Sequence, residues 1–342
     1  MSINFDENQP IDLLTSLSRA RNNVPLSLRI RASGSTAALV MDIIMPHIHR
    51  WQRIHFILPV AELARLHMHH CPILEQLTLC VFEKEWHMTN PITNPTVIRS
   101  APLLSYADAR AFPNLDFTGH PLELPSLCLL KVTDDQMLPF LTTPNLERLE
   151  LQYTSRDEDV MGIPGDALGS FLTRSGCDLR FLSINTKEIP RKWHIADLLR
   201  SATSVRHLSV TVADSWDFMY LMRTISSSNV LPRVVHFEVR DPGAVIDTKM
   251  EQYRAMLEML PLRREHTALE KMELFLGRRS VGGPRTPPAA VVQELRGLVE
   301  EEGLQVRITA RSRPTSSYDD VRLFDNFDGN TVEYTYIPAF EV

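Results

Sequence analysis

Cysteine is scarce in this chain, with four among 342 residues. The four are Cys71, Cys80, Cys128 and Cys177, and none of them forms a C-x-x-C pair. Their spacing therefore predicts neither a disulfide framework nor a zinc site. Of the candidate metal ligands, the best are His67, His69, His70 and Cys71, but adjacent histidines point apart on a helix and no second half-site follows. We expect no metal site.

Long apolar runs and an excess of basic residues are also lacking. No run approaches the roughly 18 apolar residues of a membrane span. The opening MSINFDENQP has neither the basic nor the apolar region of a secretory leader. The formal net charge is -6, whereas nucleic-acid-binding domains usually carry a basic patch. These absences predict a soluble protein of the cytoplasm or nucleus, with neither a nucleic acid nor a membrane as partner.

Sequence signatures of catalysis are missing as well. The chain has 13 glycines but no G-x-S-x-G, no P-loop and no G-x-G-x-x-G. The carboxylates of residues 157–159 cluster in a polar stretch that is typical of a solvated turn. We therefore expect no catalytic residue and no cofactor, and we expect that the protein is not an enzyme.

What the chain does contain is a recurring L-x-x-L-x-L pattern, in which three apolar residues mark one strand. Such a repeat cannot bury its apolar face alone and must stack on its neighbours. The copies begin at Leu74, Leu104 (a weak copy), Leu127, Leu146, Leu179, Val205, Val234 and Leu269, and Leu26, Trp51 and Val306 begin further strands of the same kind.

Helical spacing of apolar residues between the copies predicts a helix before most strands. Predicted helices include residues 10–21, a stripe of Leu39, Val40, Ile43 and Ile44, and a segment around Met137, Leu138 and Leu141. Parallel strands joined by helices predict an α/β fold, an irregular leucine-rich-repeat solenoid with parallel strands on one side and helices on the other. The solenoid is expected to be irregular because its ninth repeat positions lack the asparagines that form a ladder in regular repeats. These positions hold Phe82, Asp135, Thr154, Lys187, Ala213, Pro242 and Gly277.

Three regions follow from this pattern. Residues 1–34 are expected to form an N-terminal helix and strand cap, and residues 35–310 the solenoid. Residues 311–342 form an acidic tail, expected to be partly disordered or to add an edge strand where Val332, Tyr334 and Tyr336 alternate.

Three segments resemble one family, the leucine-rich-repeat-like F-box proteins of mushroom-forming fungi. They are LLTSLSRARNNVPLSLRI at 13–30, PHIHRWQRIHF at 46–56, and a P-x-L-x-x-L-x-L unit seen in CPILEQLTL, TPNLERLEL and LPRVVHFEV. In that family an F-box docks on a cullin-type ubiquitin ligase adaptor and the repeats recruit substrates. The resemblance implies a protein partner or substrate, and a ligase adaptor only if an F-box is supplied. A stand-alone or truncated structural repeat protein with no ligase role is the alternative.

The polar positions between the repeat leucines are the predicted binding surface. Positions three and five of each copy alternate with the buried positions and so share the opposite face of the strands. Their charges have both signs, which suits a protein partner better than a phosphate backbone. The candidate partner-binding residues are Tyr106, Lys131, Arg148, Glu150, Phe181, His207, His236 and Lys271.

Overall fold

A computed structural model describes residues 2–6, 24–65, 71–81, 101–109, 122–132, 138–152, 167–186, 194–212, 215–241, 250–276, 287–311, 320–325 and 332–333. These residues form a mixed α/β structure built on parallel strands. The chain divides into two compact units, one of residues 1–152 and 170–178, the other of residues 153–169 and 179–342. The predicted helix at 10–21 and all seven ninth repeat positions lie outside the described residues.

The first unit is a parallel sheet whose strands follow one another in chain order, apart from two short strands that pair with each other. Its spatial order is β1-β2-β3-β4-β5-β7-β9, and β6 and β8 form a separate parallel pair. The helices are α1 (Gly34–Ile44), α2 (Val60–Ala64) and part of α3 (Ala167–Ser175). The strands are β1 (Ser2–Asp6), β2 (Leu26–Arg31), β3 (Trp51–Leu58), β4 (Gln76–Val81), β5 (Tyr106–Ala109), β6 (Leu122–Glu123), β7 (Leu129–Val132), β8 (Leu141–Thr142) and β9 (Arg148–Gln152).

The second unit repeats the scheme with a helix before each of four strands. The parallel strands are β10 (Phe181–Asn185), β11 (His207–Thr211), β12 (His236–Asp241), β13 (Lys271–Leu276) and β14 (Gln305–Arg311). The helices are α4 (His194–Ser201), α5 (Ser215–Ile225), α6 (Met250–His266) and α7 (Ala289–Glu302). Two antiparallel strands follow, β15 (Asp320–Asp325) and β16 (Val332–Glu333), while Tyr334 and Tyr336 lie outside the described residues.

The strands predicted from the repeat pattern are confirmed. In the seven copies that begin at Leu74, Leu127, Leu146, Leu179, Val205, Val234 and Leu269, all three apolar residues are buried. Each first residue precedes its strand, and the other two lie within it on one face, because side chains alternate along a strand.

The proline of the P-x-L unit has a structural role that the pattern does not reveal by itself. The amide of Leu74 donates a hydrogen bond to the carbonyl of Cys71, three residues earlier, at 3.3 Å, and the amide of Leu146 donates likewise to Thr143 at 3.1 Å. Pro72 and Pro144 occupy the second position of these turns, where the fixed φ of proline is favoured. The same turn precedes Leu104, Leu127 and Val234.

The helix predicted around Met137, Leu138 and Leu141 is wrong. Residues Leu138–Phe140 form a single 3-10 turn, followed at once by β8. Pro139 and Pro144 are five residues apart, and a proline removes a helical hydrogen bond and clashes with the preceding turn. The stretch is therefore too short and too constrained for an α-helix.

The buried stripe of α1 also differs from the prediction. Ala37, Val40, Met41 and Ile44 are buried, at the i, i+3, i+4, i+7 spacing of one helix face, whereas Leu39 is exposed. Val40 and Ile44 of the predicted stripe are buried as expected, and Ala37 and Met41 complete the buried face in place of Leu39 and Ile43.

Candidate interaction surface

In the second unit, the parallel register aligns side chains of five strands into three rows on one face. The first row is Phe181, His207, His236, Lys271 and Gln305; the second is Ser183, Ser209, Glu238, Glu273 and Arg307; the third is Asn185, Thr211, Arg240, Phe275 and Thr309. We call these fifteen residues the second-unit face. Because their spacing along each strand is two residues, they point away from the buried repeat leucines.

The first row begins with three stacked rings. The ring centroids of Phe181 and His207 are 4.6 Å apart, and those of His207 and His236 are 4.0 Å apart. Neighbouring strands are about 4.8 Å apart, so side chains at equivalent positions meet directly. The contacts between these rings are a consequence of register and place a row of mutually tilted rings beside Lys271.

Two carboxylates lie in the middle row, on adjacent strands and opposite each other. Glu238 accepts a hydrogen bond from Nε of Arg240 and lies 3.6 Å from Nε2 of His207. Glu273 lies 3.0 Å from Nε2 of His236 and 3.7 Å from Nη1 of Arg307. Like charges opposite each other on neighbouring strands are destabilising, and the guanidinium groups of Arg240 and Arg307 offset that repulsion.

These neighbouring groups shift the pKa of the Glu238 carboxyl group. Burial alone would raise the pKa of Glu238, but the nearby His207 and the hydrogen bond and positive charge of Arg240 outweigh it and lower the pKa to about 2. The carboxylate is therefore ionised at every physiological pH.

The first unit carries a similar arrangement on the face of β5, β7 and β9. Glu150 lies between two cations, 2.9 Å from Nζ of Lys131 and 2.8 Å from Nη2 of Arg148. The hydroxyl of Tyr106 donates to Asp108 at 3.4 Å, and Asp108 is buried. A second face of aligned polar side chains thus lies on the strands of this unit.

All eight residues predicted to bind a partner lie in described strands. Phe181, His207, His236 and Lys271 come together in one row of the second-unit face. Tyr106, Lys131, Arg148 and Glu150 share the strand face of the first unit.

Arg240, Phe275 and Arg307 are among the residues of the second-unit face that were missed from the sequence. Arg240 and Phe275 lie at position seven of their repeats, and Arg307 lies on β14. The signal was present, since the alternation that gives positions three and five continues for two more residues. Arg240 is also the most exposed cation in the ion pairs of this face.

The other sequence candidates are placed as follows. His67, His69, His70 and the carboxylates of residues 157–159 lie outside the described residues, while Cys71 is buried and its burial raises the pKa of its thiol to about 11. Within the described ranges, no group of three or more His, Cys, Asp or Glu side chains is placed to hold a metal ion. None of the helices that the structure describes combines the length and apolar character needed to cross a membrane.

Comparison with known proteins gives no further assignment. No protein-family model matches the chain, and no curated protein matches it either.

Proposed function

We propose that this protein is a non-enzymatic interaction module, an irregular leucine-rich-repeat solenoid that binds another protein through the strand faces of its repeats. The observation that carries the proposal is the alignment of side chains from five consecutive strands into three rows on the second-unit face. Such a face offers a long series of side chains rather than a convergent nucleophile and base, which catalysis would require.

The residue types on this face support a protein partner. Aromatic and arginine side chains are enriched in binding hot spots, and the face combines Phe181 and Phe275 with Arg240 and Arg307. Its charges are already ordered by ion pairs, so a partner would meet side chains that lose little further rotamer freedom.

The resemblance to F-box proteins suggests which kinds of protein this chain would bind. The repeats would recruit a substrate, and a cullin-type adaptor would join only if an F-box is supplied by this protein or by a partner. A purely structural repeat protein, with no defined partner, is the competing hypothesis.

The test is affinity purification with mass spectrometry from the native cell, using the endogenously tagged full transcript. We expect a reproducible partner that is lost in a Phe181→Ala/His236→Ala variant and kept in Arg254→Gln, a change of an exposed residue on α6. Cullin and its adaptor in the same preparation would support the ligase role. A preparation without any specific partner, under mild conditions, would favour the structural hypothesis and contradict ours.

A further inference from the structure

We propose that the second-unit face takes an anionic stretch of polypeptide, rich in aspartate and glutamate or phosphorylated; this rests on the proposed interaction function. Two observations support this proposal. The carboxylates of the face lie deeper than its cations, and the side chain of Arg240 is held by two contacts.

The carboxylates form the floor of the face and the cations form its rim. The side chain of Glu238 is 9% exposed, whereas that of Arg240, its partner, is 58% exposed. Glu273 lies similarly deep, and Arg307, its partner, is the more exposed of that pair. A partner that approaches this face therefore meets guanidinium groups and rings before it meets a carboxylate.

The second-unit face has more permanent positive charges than negative ones, whereas the whole chain is net negative. The three rows contain three permanent cations, Arg240, Lys271 and Arg307, against two carboxylates, Glu238 and Glu273. The whole chain has a formal net charge of -6. A cationic rim on an acidic protein orients an anionic partner toward this face and away from the remaining surface.

Arg240 is held in place for such a contact. Its Nε donates to Glu238, and its Cζ lies 5.6 Å from the ring centroid of Phe275. Two contacts fix the plane of the guanidinium, and the rest of this exposed side chain can receive a carboxylate or phosphate in the two-pronged geometry that arginine favours. Little ordering entropy remains to be lost on binding.

The first unit shows the same layering independently. Glu150 is 11% exposed below Arg148, which is 44% exposed, and it also pairs with Lys131. Cations over carboxylates are therefore a repeated property of the strand faces in this chain.

The layering favours a polypeptide over a nucleic acid. A nucleic acid brings a closely spaced series of phosphates and is held by a correspondingly dense set of cations. Here a buried carboxylate lies beside Arg240 and a half-buried one lies beside Arg307. These carboxylates penalise a continuous phosphate backbone but leave room for separated anionic side chains.

The experiment is fluorescence anisotropy with the full chain and four labelled probes of equal length. The probes are an Asp/Glu-rich peptide, a phosphoserine peptide, the Asn/Gln version of the first, and a single-stranded RNA. We expect both anionic peptides to bind, whichever is tighter, and the neutral peptide to bind at least tenfold more weakly. Higher salt should weaken the anionic complexes.

Variants locate the binding to this face. Arg240→Gln and Lys271→Gln should each weaken the anionic peptide about fivefold, while Arg254→Gln on α6 should stay within twofold of the parent protein. Circular dichroism of each variant checks folding, and the Lys271 variant keeps the test valid if Arg240→Gln is unstable. Equal binding of neutral and anionic peptides, tighter binding of RNA, or an unchanged affinity in both variants would overturn the proposal.

The same variants separate this inference from the function on which it rests. A cellular partner that is lost in Phe181→Ala/His236→Ala but kept in Arg240→Gln and Lys271→Gln would leave the interaction module intact and remove the anionic chemistry. If the parent protein itself captured no specific partner, both the interaction function and the anionic chemistry of its partner would be contradicted.

Discussion

Arg263 shows how one buried side chain organises a turn of the second unit. It is fully buried on α6 and donates from Nη1 to the carbonyls of Ile225, Ser227 and Val230, and from Nη2 to that of Leu231 at 2.6 Å. These carbonyls follow the end of α5, where helical acceptors have no helical partner. Burial lowers the pKa of Arg263 to about 10, so the guanidinium remains charged at neutral pH.

We expect Arg263→Met to lower the free energy of unfolding by about 2–5 kcal/mol, because buried carbonyls would lose their donors. Arg263→Lys should restore only part of this loss, since an ammonium has three donors and no planar fork. Urea denaturation measures the change, and Arg254→Met, an exposed arginine of the same helix, is the control. A Met variant as stable as the parent would mean that water satisfies the carbonyls.

Glu238 makes stability depend on pH in a defined direction. Its pKa is about 2 in the folded protein against an ordinary value of 4.5, so the fold favours the ionised carboxylate. The resulting stabilisation is fully present above pH 4.5 and is lost as the pH falls toward 2.

The shift corresponds to a contribution of up to about 3 kcal/mol. We expect Glu238→Gln to reduce stability clearly at pH 7 and very little at pH 2.5, as measured by the urea midpoints of variant and parent. Glu270→Gln, at an exposed position just before β13, should show no such difference between the two pH values. A Glu238 deficit that is equal at both pH values would argue against the ionic role.

At the scale of the element, each repeat strand depends on its buried apolar residues. Leu149 is fully buried in β9, and Leu130, which pairs with it on β7, is buried as well. We expect Leu149→Ala to cost about 2–5 kcal/mol, from lost burial and the cavity left behind. Leu103→Ala, at a residue that is 48% exposed in the turn before β5, should cost far less in the same denaturation experiment. A negligible cost at Leu149 would mean that the repeat register is misassigned.

Strands were predicted more accurately than helices. A helix was predicted before most strands, and α3 to α7 are such helices, but the buried stripe of α1 and the segment at Leu138–Phe140 differ from the prediction. The triplet that starts at Leu146 fixes both the position and the buried face of its strand, since a period of two leaves one choice of side. The stripe of α1 was ambiguous, because a helix of 11 residues offers overlapping apolar faces and tertiary packing selects one. At Leu138–Phe140 the prolines overruled the apolar spacing.

The second-unit face was predictable only in part. Period-two alternation identifies Phe181, His207 and His236 as sharing a face. However, the contacts between the rings and the approach of His207 to Glu238 depend on which residues lie side by side on neighbouring strands. Repeats of unequal length hide that register in the sequence. The depth of each charged group, which separates floor from rim, follows from three-dimensional packing alone.

At the scale of the whole molecule, the chain combines an acidic surface overall with cationic rims on its strand faces. A single net charge of -6 gives no sign of this distribution, because it averages the two. The interaction hypothesis depends on how charges are distributed over the strand faces. Net charge alone is weak evidence against a nucleic-acid partner, and the carboxylates beside Arg240 and Arg307 are the stronger argument.

Within each unit, every strand of the main sheet pairs with strands that are near it in sequence. Such pairing closes short chain segments, so assembly can begin at one repeat and spread to the next. The same pairing lets a substitution change one exposed side chain of one strand while the adjoining strands keep their register. A duplicated repeat would add one strand to this surface and leave the other strands unchanged.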